Sequence, residues 1–205
     1  MPYARKRRRP SYARPTRSVK RRRTSTYARR AYNRLCKPEA KFIEPSDSIS
    51  VSTTGDINHL TAIAGGTSRN ERTGRKIMGK SLVQRWKFTI NASATSTNIR
   101  LIQFRWFDDS APTVTDILEA AHTLEVYKTE TSEKYRVIMD KLITLSTNRP
   151  KTAFKTYMRI MHPITYTGSA STDYQRGQIF TLAVSDEATN TPTMVVRGRL
   201  RYTDV

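Results

Sequence analysis

The chain has 205 residues, with 37 Lys and Arg against 17 Asp and Glu, and a formal net charge of +20. Its single cysteine, Cys36, has no partner within the chain, which excludes an intrachain disulfide framework or a cysteine-rich metal site and fits a reducing compartment. No run approaches the roughly 18 apolar residues of a membrane span, and no apolar segment follows the charged N-terminus, so the sequence predicts no membrane association and no secretory signal.

Residues 1–37 hold 15 Lys and Arg and no Asp or Glu. Like charges at this density repel, and too few apolar side chains are present to offset the entropy of ordering the backbone, so the segment reads as a disordered basic arm. Its cations are Arg5, Lys6, Arg7, Arg8 and Arg9, then Arg14 and Arg17, then Lys20, Arg21, Arg22 and Arg23, and finally Arg29, Arg30, Arg34 and Lys37. Twelve of the fifteen are arginine, and guanidinium binds phosphate in a bidentate way and stacks on bases, which points to nucleic acid. Tyr3, Tyr12, Tyr27 and Tyr32 add flat faces for unpaired bases. A solubilising tail or a segment for anionic lipid is the plainer alternative. The two dense clusters also fit nuclear localisation signals and hence nuclear import receptors as partners. If about ten of these charges meet phosphate, log K against log salt slopes by about −7 for a single strand.

Removing the arm leaves 22 basic and 17 acidic residues on 38–205, a net +5. This is one domain with room for a real core. Short runs rich in Val, Ile, Thr, Phe and Tyr, bounded by Gly, Asn, Asp, Ser and Pro, predict an all-β antiparallel domain. Strands are expected at 40–53, 80–92, 99–107, 135–147, 153–165, 177–185 and 193–203, with an eighth near 123–128. Alternation sets Trp86, Phe88 and Ile90 against Arg85 and Lys87, and Ile102, Phe104 and Trp106 against Gln103 and Arg105. The last strand sets Val196, Leu200 and Tyr202 against Arg197, Arg199 and Arg201, so sheets buried on one face are implied. One short helix is expected from Thr113, after Pro112, with Asp116 as its capping partner. The connection from Gly55 to Gly79 is read as a long loop that serves contacts outside the domain.

Such a pattern allows a jelly roll, a lipocalin-like barrel or an immunoglobulin-like sandwich. The arginine-rich N-terminus, the loop Asn70-Glu71-Arg72-Thr73-Gly74-Arg75-Lys76-Ile77 and the strand Lys80-Ser81-Leu82-Val83-Gln84-Arg85-Trp86 together resemble capsid proteins of small circular single-stranded DNA viruses. The blocks from Asn98 to Asp108 and from Tyr135 to Lys141 resemble the next segments of those proteins and of the coat proteins of satellite RNA viruses. The likeness spans most of residues 1–165. It implies a single eight-stranded jelly roll, about sixty copies of which close an icosahedral virion shell, with arms pointing inward at a circular single-stranded genome. Sixty arms carry on the order of 900 charges, which suits neutralising a small genome. Arg85, Lys87, Arg197, Arg199 and Arg201 are candidates for an ordered inner-face layer; a solvated sheet face is the equally weighted alternative.

Chemistry of other kinds finds little footing. His59, His122 and His162 are far apart, with no ligand-spaced Cys or carboxylate, so no metal site is expected. Asp108-Asp109 before Ser110-Ala111-Pro112 reads as a turn rather than an acid–base pair. Cys36 lacks a base and an orienting partner. No catalytic residue and no cofactor is predicted. The leading expectation is therefore a capsid subunit that packages circular single-stranded DNA and is assembled in the host nucleus. A satellite RNA virus coat protein is the first alternative, a monomeric basic nucleic-acid-binding protein the second and a nuclease the third.

Overall fold

The computed structural model describes residues 39–205, so the arm and its expected disorder lie outside the described residues. Nine strands and one helical turn follow in order: β1 Ala40–Ile43, β2 Ser46–Ser50, β3 Asp56–His59, β4 Lys76–Thr89, β5 Ser96–Trp106, α1 Val114–Ile117, β6 Tyr135–Ser146, β7 Lys151–Thr165, β8 Gln178–Ser185 and β9 Thr193–Asp204. Both β1 and β2 pair with β9 in one unbroken register, Ile43 opposite Leu200 and Ser46 opposite Arg197. They are thus one strand interrupted at Glu44-Pro45, where proline has no N–H to give. The Gly198 N–H still donates to the Pro45 carbonyl at 2.8 Å. The expected strand at 40–53 is therefore present with a break in it.

Counting β1 and β2 together, one sheet runs β1/β2-β9-β4-β7 and the other β3-β8-β5-β6, all antiparallel. Successive strands cross between the two four-stranded layers at every step except β5 to β6, which is the jelly-roll order. Two expectations need correction. The eighth strand is Asp56–His59, inside the segment expected to be loop, where it pairs with Phe180–Ala183. Residues 123–128 make only an isolated bridge, Leu118 to Tyr127.

The two central strands of the second sheet, β5 and β8, are buried on both faces, contrary to the half-buried expectation, while the edge strand β6 leaves Ile138 and Leu142 exposed. Toward the first sheet, Ile99 and Leu101 join Trp86, Phe88, Met194 and Val196 in one core cluster, while Leu82, Ile160, Ile164, Leu200 and Tyr202 form another with Leu60 and Ile63. On the outer side of the second sheet, Ile102, Phe104 and Trp106 pack under Ile117 and Leu118 of the 107–135 segment and beside Tyr135 of β6 and Phe180 and Leu182 of β8. The expected helical turn sits there, with the Asp116 carboxylate accepting from the Thr113 N–H at 2.8 Å. Gln103 faces the other sheet and donates to Gln84 at 2.8 Å, a buried polar pair within the sandwich.

Two buried arginines hold the long connections down. Arg72 is 2 % exposed and donates to the carbonyls of Ile63 (2.9 Å), Gly74 (2.6 Å) and Gly168, with its guanidinium 4.1 Å over the Tyr166 ring. This joins the 60–75 loop to the 166–174 loop. Arg100 makes a two-pronged pair with Asp140 (3.1 and 2.8 Å), and Tyr127 donates to the same carboxylate, which pins the 119–128 segment over β5 and β6. Replacing Arg72 with Ala leaves buried carbonyls without donors, so Arg72→Ala is expected to lower unfolding free energy by about 3 kcal/mol. Urea titration of dissociated subunits, read as a shifted midpoint at constant slope, checks this.

His59 is stacked on Phe180 at a 4.4 Å centroid distance, and burial pushes its pKa down to about 4. His162 accepts from Arg105 at 2.7 Å on Nδ1 and donates from Nε2 to the Gly177 carbonyl at 2.9 Å, and burial lowers its pKa too. Both rings are neutral when folded, whereas the unfolded chain takes up protons near 6.5. Stability is therefore full above 6.5 and falls as pH drops toward 4, on the order of 3 kcal/mol for His59. Thermal melts of His59→Phe subunits should lose most of that slope between pH 6.5 and 4.

Candidate nucleic-acid interface

Directly opposed residues of neighbouring antiparallel strands project to the same side. Register then fixes what the outer face of the first sheet carries. Arg85 lies between Arg197 on β9 and Lys155 on β7; Val83 lies between Arg199 and Tyr157; Ser81 lies between Arg201 and Arg159. Lys87 and Lys151 complete the column ends, and all eight cations are exposed. The alternate residues of β4 and β9, Leu82, Trp86, Phe88, Val196 and Leu200, are buried, and their burial is what holds these strands in place.

Along the stretch paired with Ser81–Thr89 this face holds eight of the 22 basic residues in 38–205 and one of the 17 acidic ones, Glu44, so everything else in 38–205 is net negative by two. Acidic residues gather on the opposite side, where Asp116, Glu119, Glu125, Glu130 and Glu133 sit in or beside the segment covering the second sheet. The modest +5 thus conceals a strongly two-sided molecule. Arg199 is the most tied of the cations: it pairs with Glu44 and lies 5.0 Å over the Phe42 ring. A shallow groove of about 560 Å³ opens where the first strand breaks, floored by Val83 and Gly198 and lined by Arg85, Arg197, Arg199 and Arg201.

All five body residues expected to form a basic layer, Arg85, Lys87, Arg197, Arg199 and Arg201, lie together on this face. Lys151, Lys155 and Arg159 belong with them and were missed, although they follow the same period-two alternation within 151–165. The fourteen arm cations, Arg5 through Arg34, lie outside the described residues, as does Cys36. Asp108 serves the expected turn: it accepts from the Asp109 N–H at 2.8 Å and pairs with Lys134 at 2.9 Å, which holds its carboxyl below the usual range. His122 is in the covering loop and His59 and His162 are locked as described; among the described residues no group of three or more His, Cys, Asp or Glu is placed to hold a metal ion.

A family model described as satellite tobacco necrosis virus coat protein matches residues 13–205. The chain belongs to that coat protein family. The coat protein of Maize white line mosaic Satellite virus is 27% identical over 167 residues, covering 75% of each chain. A solved chain from Desmodium yellow mottle tymovirus overlaps 82% of this chain and 89% of its own length at 12% identity, with a TM-score of 0.39. This is a viral coat protein, a structural component of a virion, and the satellite side of the resemblance is the one supported. The circular DNA virus side receives no support.

Cations held side by side across three strands repel, by roughly 0.2–1 kcal/mol per opposed pair. Arg197→Thr is therefore expected to raise the subunit's melting temperature at low salt, and the gain should shrink as salt screens the charges. The same substitution should weaken nucleic-acid binding and reduce its salt slope by about 0.7. Paired melts and binding titrations at two ionic strengths check both halves.

Proposed function

We propose that this coat protein encloses single-stranded RNA in a small icosahedral shell of about sixty copies, with the basic face of the first sheet turned toward the cargo and residues 1–37 reaching into it. The observation that carries this reading is the segregation of charge across the jelly roll, eight cations on one outer face and an acidic segment over the other. A polyanion enclosed on the basic side relieves a repulsion that the domain alone does not relieve.

RNA is preferred to DNA because the family match is to satellite virus coat proteins. The basic face is a flat sheet surface with no element suited to entering a groove and reading base edges, so binding there is expected to be strong at low salt and indifferent to sequence. DNA packaging, nuclear import receptors and a stage in the host nucleus rest on the basic clusters alone, and clusters of that kind occur in any arm built for phosphate.

Nucleic acid extracted from purified particles should be digested by RNase and resist DNase; the reverse overturns the choice of cargo. Removing residues 1–37 should leave a cooperative unfolding transition, since residues 39–205 alone make both sheets and three closed core clusters, while RNA retention drops sharply. Loss of the transition in that variant would place the arm boundary elsewhere.

A further inference from the structure

Tyr157 stands on the basic face with 68% of its surface exposed, among the largest apolar exposures of the described residues. Leaving a large aromatic surface in water sacrifices burial that a smaller or charged residue would not. Its surroundings explain what covers it. Along β7 its same-face neighbours are Lys155 and Arg159, and across the ladder it lies opposite the short side chain of Val83, with Arg85 one step away opposite Lys155. A flat ring is thus framed by cations before and after it, beside a low floor.

We infer that Tyr157 is a stacking platform for one unpaired base of a single nucleic-acid strand running along β7, with the phosphates on either side of that nucleotide meeting Lys155 and Arg159. Same-face positions on a strand recur at about 7 Å, so Lys155 and Arg159 stand about 7 Å to either side of Tyr157 and about 13 Å apart, and their long side chains converge on the two phosphates that flank the stacked nucleotide. Arg85 supplies a third charge on the β4 side. A duplex cannot use the ring, because its bases are already stacked and paired, so this site selects unpaired nucleotides without selecting sequence. The inference rests on the proposed RNA packaging and adds to it a form of the cargo: unpaired stretches held by an ordered part of the coat, separate from whatever the arm holds.

The full chain bound to a short single-stranded RNA carrying iodouracil, irradiated and mapped by mass spectrometry, should cross-link at Tyr157, and the same RNA annealed to its complement should not. Tyr157→Ala should weaken single-strand binding about tenfold with an unchanged salt slope, since stacking releases no counterions, and Tyr157→Phe should restore it. Lys155→Gln should instead reduce the slope by about 0.7. RNA retention with cross-links confined to Tyr3, Tyr12, Tyr27 or Tyr32, or equal cross-linking of the duplex at Tyr157, overturns the site and leaves packaging standing. Full chain that retains no RNA at all overturns the packaging reading itself.

Discussion

Repulsion across the outer face of the first sheet is the constraint around which this molecule is arranged. Arg197, Arg85 and Lys155 stand side by side on three adjacent strands, where opposed like charges oppose pairing. The strands persist because their other faces bury Leu82, Trp86, Phe88, Val196 and Leu200, each contributing about 1.5–3 kcal/mol, against a few tenths to about 1 kcal/mol per repelling pair. The surplus is large, so the sheet carries a charge layer that does nothing for its own stability. The proposed polyanion lying against it gives that layer its use.

Arginine serves two opposite purposes in this chain, and burial separates them. Arg72 and Arg100 are enclosed and spend their donors on carbonyls or a carboxylate of the same chain, so they close loops. Arg85, Arg197 and Arg201 keep their guanidinium groups in water on one surface. A substitution to Lys would be tolerated far better in the second group than in the first, because only the first depends on the planar fork reaching several acceptors at once.

That division was not readable from residue order. An Arg inside Asn70-Glu71-Arg72 looks like any solvated loop cation, and its acceptors on Ile63, Gly74 and Gly168 meet only after folding. Strand β3 was hidden for a similar reason: Asp56-Ile57-Asn58-His59 has poor strand formers on both sides of one isoleucine, and it is held by pairing with β8 rather than by its own preference. By contrast β4, β7 and β9 announce themselves, since period-two alternation reports a face buried on one side, and the same alternation would have disclosed Lys151, Lys155 and Arg159 had it been followed for charge as well as for apolar residues. Strand β5 misled in the opposite direction. Ile99 and Leu101 point one way and Ile102, Phe104 and Trp106 the other, and both sets are covered, one by the first sheet and one by the 107–135 segment.

The covering segment links this core arrangement to the charge arrangement. By capping the outer side of β5 and β8 it makes those two strands apolar on both faces, whereas the outer side of the first sheet carries no such cover from the described residues along β4, β7 and β9, and that surface is the cationic one. Bringing copies together with such surfaces converging on a common interior raises repulsion with every subunit added, and the increase is steepest at low salt, where screening is weakest. If the cargo is the proposed strand of phosphates, its tighter binding to the assembled form than to the free subunit removes that penalty, and assembly and cargo binding are then thermodynamically linked through the same eight side chains.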